Sequence, residues 1–153
     1  MHYKKLWTDL HSNIHHNQMG ELNQWIEHAK KTVDFWPVAY YPFYMKRTET
    51  GAGLEDLYDR EQIEQDWEQL HEAVKQQNEA GYPMFMGYEW QGSGEDGDHN
   101  VFFLDNEQPM LHPMRYEELY QAYKDRSAIA IPHHVAYQLG SRGKNWETHR
   151  EAF

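Results

Sequence analysis

Short apolar runs alternate along this chain with segments whose apolar residues recur at helical spacing, and that alternation leaves few folds open. Residues 3–10, with Leu6 and Trp7 as apolar bulk, read as a first strand. Leu22, Trp25, Ile26, Ala29 and Val33 then mark an amphipathic helix over 21–33. Residues 34–41 read as a strand whose start or edge accommodates Pro37, and 46–59, with Gly51 and Gly53, as a polar loop. Ile63, Trp67, Leu70 and Val74 mark a second helix over 60–79, closed by Gly81 and Pro83. Strands follow at 84–90 and 101–104, joined by the acidic, glycine-rich connection 91–98. A third helix over 115–124 carries Leu119 and Tyr123 on one face, and Ala128-Ile129-Ala130-Ile131-Pro132 is a last buried-strand pattern. This order predicts an α/β fold with a mainly parallel sheet of about five strands. In such folds chemistry gathers in the loops at the carboxyl ends of the strands.

At 153 residues the chain has room for one domain, and an aromatic content of 15% argues for a packed core over disorder. No apolar run approaches the length of a membrane span, and the first residues lack the apolar stretch of a secretory signal, so a cytoplasmic location is expected, with no membrane partner. A net charge of −11 gives no basic face for a phosphate backbone, so nucleic acid is not an expected partner. With no cysteine there is no disulfide, thiolate metal site or cysteine nucleophile. The eleven histidines point toward chemistry, since imidazole is both a metal ligand and an acid–base group near neutral pH. His2, His28, His71, His112 and His149 read as ordinary surface residues, which leaves His11, His15, His16, His99, His133 and His134.

Three constellations could carry that chemistry. In Asp9-Leu10-His11-Ser12-Asn13-Ile14-His15-His16, continued strand geometry would put Asp9, His11 and Asn13 on one face. The plainer alternative is a solvated loop with an Asx-type turn. In the second, the connection after Gly87-Tyr88-Glu89-Trp90 would bring Glu89 close to His99, as a metal half-site or proton-transfer pair, or else as a surface contact of little worth. The third is His133-His134, directly after the last strand, where adjacent side chains point opposite ways and one is expected to face the site. Arg142 could neutralise an anionic substrate nearby; the alternative is an exposed loop arginine. The glycines at 92, 94 and 97 lack the Gly-Lys-Ser/Thr of a phosphate loop, and no His-Glu-x-x-His helix is present.

With these pieces in order, the chain resembles the PHP (polymerase and histidinol phosphatase) family of metal-dependent phosphoesterases, most of all its uncharacterised bacterial members. Asp9-Leu10-His11 is similar to the family's opening Asp-Leu-His-x-His motif, Val33-Asp34-Phe35 to its second strand, Gly87-Tyr88-Glu89 to its Gly-x-Glu strand, and Ile131-Pro132-His133 to a later histidine motif. His99 falls where the family has its next histidine ligand. The resemblance implies a distorted (β/α)7 barrel with metals at the strand carboxyl ends. Here the barrel would be incomplete, residues 1–153 being a single PHP-like domain that is either the N-terminal part of a longer barrel or a reduced domain completed by association, since about five strands fall short of seven. Asn13 stands where the motif has its second histidine, and Ala39-Tyr40-Tyr41-Pro42 where the family has Thr-Asp-His. Fewer metals, or a reorganised site, are therefore expected.

The resemblance implies a metal-dependent hydrolase, with a phosphoester as substrate. His11, Glu89, His99 and His133 would hold Zn²⁺, Mn²⁺ or Fe²⁺, with His15 as a supplementary ligand, His134 in proton transfer and Arg142 in anion contact. The alternative is a metal- or ligand-binding module that kept the scaffold without turnover, and hydrolysis assays with and without metal separate the two. A third reading is a carbohydrate-binding domain using Tyr40, Tyr41, Phe43, Tyr44, Tyr88 and Trp90 as stacking faces, although such aromatics are usually core. An open sheet edge also leads to an expected homo-oligomer.

Overall fold

The structure is a computed structural model, and it describes residues 3–47, 53–92 and 96–133. Chain order runs β1 (Asn13–His15), a 3₁₀ segment (His16–Glu21), α1 (Leu22–Thr32), β2 (Trp36–Tyr41), β3 (Phe43–Arg47), β4 (Gly53–Leu57), α2 (Arg60–Glu79), β5 (Met84–Gln91), β6 (Asp98–Phe103), α3 (Tyr116–Tyr123) and β7 (Ala128–His133). Five strands form one open sheet in the order β1-β2-β5-β6-β7, and β3 pairs with β4 alone. The protein is therefore α/β, with β1 and β7 at the edges of the sheet and no closed barrel among the described residues.

β1, β2 and β5 are parallel, whereas β6 runs antiparallel to both β5 and β7. The sheet is thus mixed, against the expectation of a mainly parallel one. Residues 92–97 are too few for a crossover, so β6 has to return beside β5 as an antiparallel neighbour. Gly97, at φ 66°, takes the left-handed conformation within that connection. β6 also begins three residues before the expected 101, at Asp98.

Two other expectations need correction. Residues 3–10 form no strand; the ladder begins at Asn13. In that segment the Trp7 amide donates to the Asp34 carboxylate at 2.9 Å and Thr8 Oγ1 donates to the Phe35 carbonyl at 2.6 Å, leaving Tyr3, Leu6 and Trp7 exposed. The supposed loop at 46–59 contains β4 and the end of β3, paired from Phe43↔Leu57 to Arg47↔Gly53. Pro42, with no N–H to donate, separates this hairpin from β2.

Strand alternation divides the sheet into two unlike faces. Ile14, Val38, Tyr40, Met86, Tyr88, Val101 and Ala130 belong to one apolar cluster with Leu22 and Ile26 of α1, Leu70 and Val74 of α2, and Leu119 and Tyr123 of α3. All three helices therefore cover the same side. The opposite face carries Asn13, His15, Ala39, Tyr41, Gly87, Glu89, Asn100 and Phe102. It is partly crossed by the segment before β1, whose Leu10 carbonyl accepts a hydrogen bond from Asn100 Nδ2 at 2.8 Å. Gly87 is required on this face, because a Cβ there would lie 2.3 Å from the Phe102 ring and 2.6 Å from the Val101 carbonyl oxygen.

Candidate functional site on the helix-free face

Glu89 sits at the carboxyl end of β5 with only 2% of its surface exposed. Burying a carboxylate is costly unless donors surround it. Asn13 Nδ2 donates to Glu89 Oε2 at 2.5 Å, and Gln91 Nε2 lies 3.5 Å from Oε1. His11 Nε2 stands 3.9 Å from Oε2, on a half-exposed ring. Asn13 reaches Glu89 across β2, where the register places Ala39 beside Asn13 and Gly87 beside Ala39. Two minimal side chains leave the space that this contact needs.

His15, on the same face, packs its ring against Tyr41 with centroids 4.5 Å apart. Burial lowers its pKa, opposed by the negative charge of Glu89. The imidazole is therefore kept neutral, the form that binds metals or accepts a proton. The Tyr41 hydroxyl accepts a hydrogen bond from Gln91 Nε2 at 2.9 Å, tying β2 to β5 at the same end. The Oδ1 atoms of Asn13 and Asn100 are both buried without a hydrogen-bond partner.

The structure thus places His11 beside Glu89 and His15 on the same face of the sheet, and adds Asn13, Gln91, Tyr41 and Asn100. His99 is not among them. Glu89 pairs with Asn100, and His99 with Trp90. His99 consequently faces the helices, stacked on Tyr116 at 4.8 Å and tilted against Trp90 at 5.6 Å. A one-residue difference in register moves a side chain through the sheet. His133 pairs with Asp98 at the end of β7, with its side chain outside the description, and His134 and Arg142 lie outside the described residues. Asp9 serves a turn, its carboxylate accepting the His11 amide and the Ser12 hydroxyl, both at 2.8 Å.

A carboxylate with two imidazoles is a donor set suited to a divalent first-row cation, and the orphaned Asn13 and Asn100 oxygens are further hard donors. Among the described residues, however, no three His, Asp or Glu side chains converge as a ligand group.

Sequence reasoning missed a second polar network on the helix side. Buried Asp66 of α2 accepts the Tyr40 hydroxyl at 2.6 Å and meets His16 Nδ1 at the same distance. Burial and the Asp66 carboxylate push the Tyr40 phenol far up, so it stays a donor. His112, read as a surface residue, is instead packed against Phe43 and Tyr88 at ring distances of 5.7 and 5.0 Å. No described helix is long and apolar enough to cross a membrane. The chain matches no protein-family model, no curated protein and no solved structure.

Proposed function

We propose that the helix-free face carries a divalent-metal-dependent hydrolase site for a small anionic substrate of the phosphoester class, on a scaffold related to an incomplete PHP-type barrel. The observation that carries this reading is the buried Glu89 carboxylate near the carboxyl end of β5, with the His11 ring 3.9 Å away just before β1 and His15, at the carboxyl end of β1, on the same face of the sheet. Glu89 would be the anionic ligand, with His15 and His11 as imidazole ligands and His133 completing the set. Asn13 and Gln91 fix the carboxylate in place, the role that outer-shell partners take around metal ligands. A bound Zn²⁺, Mn²⁺ or Fe²⁺ supplies an acidified water and polarises the scissile bond. His134 in proton transfer and Arg142 in anion contact belong to the same proposal.

The test is metal content by mass spectrometry after dialysis against Zn²⁺ or Mn²⁺, paired with hydrolysis of p-nitrophenyl phosphate. Glu89→Gln, His11→Ala and His15→Ala should each lose metal and turnover while keeping the parent circular dichroism. Equal metal in all four proteins would remove the basis of the proposal.

A second reading is favoured by one specific observation: both Glu89 oxygens already have carboxamide neighbours, Asn13 and Gln91. A binding module without turnover would satisfy its carboxylate in this way. It predicts metal or anion binding with no metal-stimulated hydrolysis. Self-association along a sheet edge remains part of either reading, and light scattering over a concentration series checks it.

A further inference from the structure

We infer that the concavity between α2 and residues 109–112 is a second binding site, for a small aromatic amine whose ring enters the cavity and whose ammonium group stays at the rim. The cavity holds about 640 Å³, within the range of small-ligand sites. Its walls are Ile63, Trp67, Met110 and Leu111, and one rim is Arg60, Glu64 and Glu68. The Trp67 indole is braced by Tyr40, Tyr88 and Phe103, with ring centroids 6.4, 6.1 and 6.3 Å away. It is thus a rigid wall against which an aromatic ring can stack at little entropic cost.

Charge selects the ligand. Arg60, Glu64 and Glu68 follow one another at intervals of four along α2, so they line one edge. Arg60 Nε is bound to Glu64 Oε1 at 2.6 Å, which neutralises that pair. Glu68 has no ion-pair partner among the described residues and remains as the net charge of the rim. Neutral His112, also in the wall, adds no opposing charge near pH 7. A cation beside Glu68 and near the Trp67 face gains from both, and the overall charge of −11 steers cations toward the surface. An anion meets the reverse. The cavity lies on the helix side of the sheet, across from Glu89, so this site stands independently of the proposed hydrolase.

Calorimetric titration of the full chain with tryptamine, indole and indole-3-acetate tests the assignment. Tryptamine should bind about three- to fivefold tighter than indole, as one exposed charge contact allows, and indole-3-acetate should bind weakest. Glu68→Gln, at an exposed position, should bring tryptamine and indole to nearly equal affinity. Ile63→Trp should fill the cavity and weaken all three, with circular dichroism checking its fold, and Glu89→Gln should leave all three unchanged. Absence of heat at millimolar tryptamine, indole-3-acetate binding as tightly as tryptamine, or an undiminished amine preference in Glu68→Gln would each overturn the site.

Discussion

Replacing His112 with Phe should flatten the pH dependence of stability on the acid side. The His112 ring lies between Phe43 and Tyr88, and its Nε2 is buried without a hydrogen-bond partner. Burial pushes its pKa from 6.5 down to about 4. For a base lowered in this way, the unfolded chain takes up a proton that the folded chain refuses. The stabilising effect is complete above the unfolded value and is lost as pH falls from 6.5 toward about 4. At about 1.4 kcal/mol per pH unit, descent from pH 8 to pH 5 should cost about 2 kcal/mol from this residue alone. With a urea dependence of about 2 kcal/mol per M, that is about 1 M in the unfolding midpoint. Urea titrations of parent and His112→Phe at both pH values isolate the term, because the other titrating groups are common to the two proteins. The Phe variant should equal or exceed the parent at pH 8, since it removes an unsatisfied buried nitrogen, and its advantage should grow by about 2 kcal/mol at pH 5. A stability difference that does not change with pH would refute the burial argument.

Gly87→Ala would force a Cβ into the Phe102 ring and the Val101 carbonyl oxygen, and should cost about 1–3 kcal/mol by urea unfolding. Asp66→Asn removes the charge that holds His16 and Tyr40 together, and should lower stability by about 1–3 kcal/mol in thermal melts. Glu89→Gln should leave the secondary structure intact but abolish binding of Zn²⁺ or Mn²⁺, read by mass spectrometry after dialysis.

The helices were legible because their ends carry local signals. α2 begins after Asp59, whose backbone meets the Gln62 side chain at 3.3 Å, and closes just before Gly81 at φ 87°. Residues 3–10 misled because Leu6 and Trp7 have the apolar character of a strand, while the competing acceptor, Asp34, lies far along the chain. Strand propensity reports a fit to a half-buried surface, and this segment is held instead by bonds from Trp7 and Thr8 to Asp34 and Phe35. The β3–β4 hairpin was hidden by its polar composition: Lys46, Arg47, Glu55 and Asp56 suit a two-stranded ribbon outside the main sheet but resemble a loop in one dimension.

Strand ends led to Glu89, near the end of β5, but His11 follows no strand, and the reading of the site failed where the face of the sheet mattered. His15 and His16 are neighbours, yet His15 lies with Tyr41 on the Glu89 side whereas His16 joins Tyr40 and Asp66 among the helices. Tyr40 and Tyr41 divide in the same way because they pair with Ile14 and His15. His99 lost its place beside Glu89 by one residue of register, which gave the position to Asn100. No composition or motif spacing carries that information; pairing in three dimensions does. The small residues were the available signal. Ala39 and Gly87 stand next to each other between Asn13 and Glu89, in strands otherwise built of bulky side chains. A gap of that kind on one face is the space through which a carboxamide reaches a carboxylate two strands away. Reading it would have placed Asn13 inside the site as the group that holds Glu89, where motif matching treats Asn13 only as a missing histidine.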